Sequence, residues 1–206
     1  MPYGDEAVKW SKRPLPHRTA SRALILRAAR EELSEHGFGG STVRGIAHRA
    51  EVNTSLVHYY FDSRDGVLTA ALREAGRLVV SAPGDDTAPG GPDRTGEELL
   101  RRELPLWESE EWRSAILALI RSSVTHEDAG QHLAEAVRRL FPDASGPCPH
   151  TIMIGAQLIG LMVVRHITPV EPLASADMDD LIALLAPVAQ HFLDDHNEHS
   201  AHLPGH

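Results

Sequence analysis

An all-α fold of about nine helices is what this 206-residue sequence predicts. Apolar residues recur at three- and four-residue spacing in one stretch after another, and no segment alternates apolar with polar residues long enough to make a strand. The breaks between periodic stretches carry Gly, Pro and small polar residues, the punctuation that helix ends need. No internal repeat is visible.

Residues 1–18 read as a flexible basic arm. Pro14 and Pro16 flank Leu15, and Lys9, Lys12, Arg13, His17 and Arg18 cluster around them. Such an arm is either a solvated tail or a segment that reaches an adjacent minor groove, with Trp10 as its anchor. The first helix spans residues 19–36, with Leu24, Ala28, Glu31/Glu32 and Leu33 at helical spacing and Ile25 and Ala29 widening the apolar stripe; Gly37 ends it as a C-cap. Phe38 is expected to plug a small three-helix core. The second helix covers 42–50, with Val43, Ile46 and Ala47 inward and Arg44, His48 and Arg49 outward. A junction at Glu51 and Val52 follows, and Asn53 N-caps a third helix over 53–60. A fourth helix starts at Ser63, with Val67, Leu68, Ala71, Leu72 and Leu78 on one side.

Residues 81–96 are the clearest loop, dominated by Pro and Gly. Five helical patterns follow. Residues 97–108 contain Pro105, which is expected to kink or end the helix. Residues 109–125 place Trp112, Ile116, Leu119 and Ile120 on one face. Residues 127–141 carry Leu133, Val137, Leu140 and Phe141 and close at Pro142. Residues 149–167 are apolar nearly all round, which requires cover on several sides. Residues 176–195 align Leu181, Leu184, Leu185, Val188 and Phe192 in one stripe, with a bend at Pro187 and Asp177, Asp179 and Asp180 in the first turn. The chain thus divides into an arm (1–18), a three-helix head (19–63), a helical body (64–195) and a His-rich tail (196–206).

The totals bound the function. Apolar residues make up 42% and charged residues 24%, ordinary for a globular protein. The net charge of −9 at first argues against a polyanionic partner. Residues 1–66, however, hold ten Lys/Arg against eight Asp/Glu, and residues 67–206 hold ten against twenty-one. A mildly basic head on an acidic body suits a nucleic-acid binder whose head alone faces phosphate. One cysteine, Cys148, permits no internal disulfide, and no apolar signal-peptide core opens the chain, so a cytoplasmic protein is expected. The apolar run 151–164 is short for a membrane span and is interrupted by Gln157, so no membrane partner is expected. His191, His196, His199, His202 and His206 crowd the C-terminus without a carboxylate or thiol arrangement to complete a metal site. Phosphate-cradling Gly loops, an HExxH pair and a Gly-flanked Ser elbow are all missing; neither a cofactor nor an enzymatic reaction is expected.

Residues 42–64 give the chain its purpose. The third helix begins with Asn53, Thr54 and Ser55 and ends with His58, Tyr59, Tyr60 and Phe61. Small polar groups that read base edges, followed by hydroxyls and imidazole for phosphates, are what a helix entering a DNA major groove needs. Asn53, Thr54, Ser55 and His58, with Arg44 from the second helix, are the candidate base readers. The segment RALILRAAREELSEHGF, the run Leu56-Val57-His58-Tyr59-Tyr60-Phe61 and the following Ser63-Arg64-Asp65 resemble the head of TetR-type repressors. The resemblance covers residues 19–80 by motif and extends more loosely over AQLIGLMVVRHI and EPLASADMDDLIALLAP, which are similar to an actinobacterial type of C-terminal domain. Two departures stand out. Glu51 holds the turn position where the family commonly has Gly, so a left-handed backbone there costs about 1 kcal/mol or the turn is reshaped. Ser55-Leu56 replaces a frequent Gly-Thr pair, so base preference does not carry over.

The resemblance implies that Thr42, Tyr59, Tyr60 and Arg64 stand where the family contacts phosphate. It also implies a homodimer through helices 149–167 and 176–195, on a palindromic double-stranded operator. A small-molecule effector is implied in the body, where Trp107, Trp112, Ile116, Leu119, Ile120, Met153 and Gln157 offer apolar walls with a few polar groups. Arg121 and His126 either orient an acidic group of that ligand or belong to the surface. The implied function is repression relieved by the effector. The rival readings are an all-α carrier or enzyme for an apolar metabolite, and a DNA binder with no effector.

Overall fold

The computed structural model describes residues 18–80, 95–139 and 149–201, with side chains over 21–80, 95–139 and 149–195. Trp10 and most of the basic arm, nearly all of the 81–96 loop, Leu140, Phe141, Pro142, Cys148 and the side chains of His196, His199, His202 and His206 lie outside these residues. Among the described residues there are nine α-helices and no strand: α1 Arg18–Gly40, α2 Val43–Arg49, α3 Thr54–Phe61, α4 Arg64–Val80, α5 Gly96–Glu108, α6 Glu110–Ser123, α7 Glu127–Arg139, α8 Pro149–Met162 and α9 Met178–Ala201.

The helix starts follow the local chemistry. Thr42 and Asn53 cap α2 and α3, their side-chain oxygens accepting from the amides of Gly45 (2.9 Å) and Leu56 (2.8 Å). Thr95 and Glu98 form a reciprocal capping box at α5. Gly37 interrupts α1 with φ +65°, a conformation that a side chain disfavours, and its carbonyl accepts from the Ser41 hydroxyl at 2.7 Å. The helix therefore breaks where the sequence places its C-cap.

The core runs continuously from head to body. Ile25, Leu33, Ile46, Leu68, Ile116 and Leu119 are all fully buried within it, each contributing roughly 1.5–3 kcal/mol of transfer free energy. Helix α1 packs on α6 and α4, α4 also packs on α6 and α7, and α5 and α8 both pack on α9. The head is therefore carried on α6 through its own α1 and through the connecting helix α4.

Three expectations change and one is narrowed. Of the two outcomes open at Pro105, an end is excluded: α5 continues to Glu108 with Pro105 on the exposed side. Helix α9 contains Pro187 and runs past its expected end at 195 to residue 201. Its expected single apolar stripe splits: Leu181, Ile182, Ala189 and Leu193 are buried, whereas Leu184 and Val188 are exposed. Phe38 does not plug the head; its ring lies against His126 of the body, 4.5 Å between centroids.

The apolar helix is also longer than its apolar run. Helix α8 continues as a π-helical turn over Val163–Ile167, and the 19 residues of Pro149–Ile167 are long and apolar enough, by length and composition, to cross a membrane. Its last turn is nevertheless tied into the fold. Glu108 accepts from Arg165 Nε at 2.8 Å and lies 3.0 Å from His166 Nε2, and Arg165 also donates to the Ala176 carbonyl at 3.0 Å. The π-turn brings two consecutive polar side chains onto one carboxylate, which links α5, α8 and the approach to α9.

Candidate nucleic-acid interface

Helices α2 and α3 meet at a turn that Glu51 makes with φ 52°. The Glu51 amide donates to the His48 carbonyl at 3.2 Å and the Val52 amide to Ala47 at 2.9 Å. Of the two outcomes left open at this position, the chain takes the left-handed backbone without a glycine. Beneath the pair, Ile46, Ala47, Val57 and Phe61 are buried. Above it, Thr42, Arg44, His48, Asn53, Thr54, Ser55, His58 and Tyr59 are exposed, Tyr59 at 61%. Seven of the nine expected DNA-facing residues are thus exposed; Tyr60 and Arg64 are only half exposed.

Capping chemistry sets what some of these groups have left to offer. Thr42 Oγ1 accepts from Gly45, which leaves its hydroxyl proton for an acceptor outside. Asn53 Oδ1 is occupied by Leu56, which leaves its amide NH₂ as donor. The Nδ1 atom of His58 lies 3.2 Å from the Asp62 carbonyl. With Nδ1–H donating there, the neutral ring carries its acceptor lone pair on Nε2. Tyr59 and Tyr60 meet edge to face at 5.2 Å, and Phe61 lies under the Arg22 guanidinium at 5.1 Å.

Arg64 is employed differently from a surface phosphate contact. Its Nε donates to the Ser41 carbonyl at 2.9 Å, Nη1 to Asp65 at 2.8 Å, and Nη2 to the carbonyls of Phe38 and Gly39. Four of its five N–H donors are therefore engaged, and the guanidinium also covers the Phe38 ring at 5.4 Å. It braces the turn that delivers Thr42.

Glu32 falls at helical spacing in the first helix, but the sequence alone assigns it no role. It lies on the buried face of α1, 5% exposed, and its carboxylate accepts from Arg49 Nε at 2.8 Å and the Thr42 amide at 3.3 Å. Arg49 also pairs with Glu35, and the hydrogen bond it donates to that carboxylate is the main cause that raises its pKa further. The spacing 25, 29, 32 places Glu32 on the apolar stripe, and that pattern was the available signal.

The expected ligand-site residues do not converge. Trp107, Trp112 and Ile116 are buried in the core, Ile120 and Gln157 are half-buried, and Met153 is 46% exposed on the outside of α8. Trp107 Nε1 donates at 3.3 Å to Glu103, a buried carboxylate paired with Arg102 at 2.7 Å. Trp112 lies under Arg139 at 5.2 Å, and burial pushes the Arg139 pKa down. Arg121 and His126 lie at the head–body junction, where the Arg121 carbonyl abuts Gly37. Surface cavities lined by described residues are found elsewhere: about 420 Å³ between α5 and α9, and about 350 Å³ between α1 and α6 around Arg27, Arg30 and Glu111. Among the described residues no group of three or more His, Cys, Asp or Glu is placed to hold a metal.

Comparison with known proteins covers both halves of the chain. Residues 25–71 match the model of bacterial regulatory proteins of the tetR family, and residues 93–193 match the tetracyclin repressor-like C-terminal domain. An HTH-type transcriptional regulator BetI of Burkholderia cenocepacia is 35% identical over 65 residues, 32% of this chain; the match spans about a third, 34%, of that relative. A TetR-family regulator structure from Streptomyces coelicolor A3 is 29% identical, covering 88% of this chain and 98% of that one, with a TM-score of 0.53. The structure of the multidrug binding protein EbrR complexed with ethidium is similar in fold: 22% identity, 84% and 99% coverage, TM-score 0.57.

Proposed function

This chain belongs to the TetR family of bacterial regulatory proteins, and we propose that it is a cytoplasmic homodimeric repressor released from a palindromic operator by a small molecule. The observation that carries the DNA reading is the exposed side of α2 and α3. It presents Thr42, Arg44, Asn53, Thr54, Ser55, His58 and Tyr59 above a buried side made of Ile46, Ala47, Val57 and Phe61, with the Glu32 carboxylate against α2. Tyr60 joins them at the edge, and Arg64 acts through the turn it braces. In this reading the head is residues 19–63 and the body residues 64–195.

Dimerisation through α8 and α9 is supported by the apolar residues left in the open there, Ile152, Met153, Leu184 and Val188. A two-fold pair sets its recognition helices about one DNA turn apart, ~34–36 Å. Release then requires a ligand that prefers a different head spacing; moving the population from 99:1 to 1:99 takes roughly 5.5 kcal/mol of differential affinity. The multidrug protein EbrR is complexed with ethidium, and the Trp107, Trp112 and Ile116 region of this body, buried in the core of this structure, is where we place an apolar effector, which must open it to enter.

Selection of duplexes from a random library, followed by gel shifts at ~50 and ~200 mM salt, tests the reading. Specific binding that falls steeply with salt is the expected result. Tyr59→Ala should weaken all bound sequences alike, whereas Thr54→Ala should change the preference among them. Failure to enrich any sequence would remove the DNA reading.

A further inference from the structure

We infer that Glu32 is the positioning residue of the DNA head, its buried carboxylate interlocked with Gly45 so that it holds α2 at both ends. The inference rests on the DNA reading and goes beyond it by naming what sets the angle at which α2 is presented.

The geometry starts from helix periodicity. The Thr42 backbone amide, Gly45, Ile46 and Arg49 are spaced three, four and seven apart and so fall on the side of α2 that faces α1. One carboxylate of α1 meets three of them. Its Oε1 accepts from the Thr42 amide at the N-cap, and its Oε2 accepts from Arg49 at the last residue of the helix. Between these contacts, a Cβ on Gly45 would lie 2.1 Å from Oε1 and 2.6 Å from the carboxyl carbon. The carboxylate therefore fills the volume that any side chain at position 45 would need.

A carboxylate buried this deeply is strongly disfavoured without partners. That penalty makes the arrangement selective. If α2 rotates or slides, the Thr42 amide and Arg49 leave Glu32 together, and the buried carboxylate is left with His36 of its own helix, 3.8 Å from Oε2. An apolar residue at position 32 would fill space but would tolerate small shifts of α2, because dispersion contacts have no direction. Arg49 is further gripped by Glu35, one turn along α1. Thr42 and Arg44, the exposed groups that α2 offers, are thus set by a group that touches no DNA.

The test uses the full chain and a fluorescent duplex selected by the wild-type protein. Glu32→Ala, Gly45→Ala and the double variant are measured at a temperature where each keeps wild-type helicity. Glu32→Ala should bind 10–100-fold more weakly and show a smaller slope of log affinity against log salt, because phosphate contacts from α2 are lost. Gly45→Ala should do comparable damage alone and none beyond the Glu32→Ala loss in the double variant, since the collision partner is gone. Affinity within threefold with an unchanged salt slope for Glu32→Ala would overturn the inference, as would equal damage by Gly45→Ala in both backgrounds. Where Glu32→Ala does not fold, Glu32→Gln takes its place: it keeps the volume and the Thr42 acceptor but loses the Arg49 ion pair, so the weaker binding and smaller salt slope are expected again, while Gly45→Ala should now add its own damage because the collision partner remains. A wild-type protein that selects no duplex defeats the DNA reading itself, whereas a bound duplex indifferent to these changes defeats only the positioning role.

Discussion

The ring of Phe38 rests on the ring of His126, 4.5 Å between centroids, and this contact joins the turn before α2 to the start of α7. On its other flank Phe38 carries the Arg64 guanidinium at 5.4 Å, whose donors hold the same turn. The polar atoms nearby in sequence are buried and lack hydrogen-bond partners: Arg121 Nε, Ser122 Oγ and His126 Nδ1. A junction that is well packed but incompletely satisfied is a reasonable place for body movement to reach the head. Phe38→Ala should cost about 1–3 kcal/mol, less than a fully buried Phe because the ring is half-exposed. Urea unfolding reads this directly, and an unchanged midpoint would show that the contact carries no stability.

Glu51 offers a gain in stability. At φ 52° its side chain strains the backbone, and Glu51→Gly removes that strain at the cost of a more flexible unfolded chain. The net should be a stabilisation of about 0.5–1 kcal/mol, seen as a rise in Tm. No rise, or a fall, would mean that the exposed carboxylate has compensating contacts.

These two positions also show what the sequence made legible. Helix boundaries, the Gly37 break and both caps of α2 and α3 depend on near neighbours, so the chain displays them locally. The outward face of α3 follows from periodicity alone. Phe38 and Arg64 could not be placed this way, because each is defined by a partner 23 to 88 positions away; periodicity puts Glu32 on the inner face of α1 but not onto Thr42 and Arg49, 10 and 17 positions on. An aromatic after a C-cap reads as a core plug, and only packing of α1 on α6 turns it toward His126. The stripe of α9 misled for another reason. Leu184 and Val188 share a helical period with Leu181, yet apolar periodicity does not say whether the cover comes from the same chain.

At the start of α5, a carboxylate sets a pH dependence whose sign is fixed. Hydrogen bonds from the Thr95 backbone and side chain hold the Glu98 carboxyl below its usual 4.5. The stabilisation is fully present above that value and is lost as pH falls through the depressed folded pKa. Glu98→Gln should therefore flatten the acid limb of a Tm-against-pH profile and leave the neutral limb nearly level with the wild type. Thr95→Ala, which removes the cap itself, should cost about 1 kcal/mol at neutral pH. Superimposable acid limbs for wild type and Glu98→Gln would sink this account.

The last prediction concerns the exposed face of α8 and α9. Leu184 is 59% exposed and Val188, one turn further, 39%; on α8, Ile152 and Met153 are 44% and 46% exposed. Four such side chains on two packed helices make a contiguous target for burial, and each one covered by a partner contributes roughly 1–2 kcal/mol. In a two-fold pair each of these residues acts twice, so a charge placed among them is also buried twice. Leu184→Glu should thus shift the mass in solution from about twice 22.5 kDa to that of a single chain. Its far-UV spectrum should stay intact, because position 184 contributes little to the fold within one chain. Specific DNA affinity should fall with the dimer, since each head alone is only mildly basic. A variant that stays dimeric by light scattering would place the interface on another face of the body.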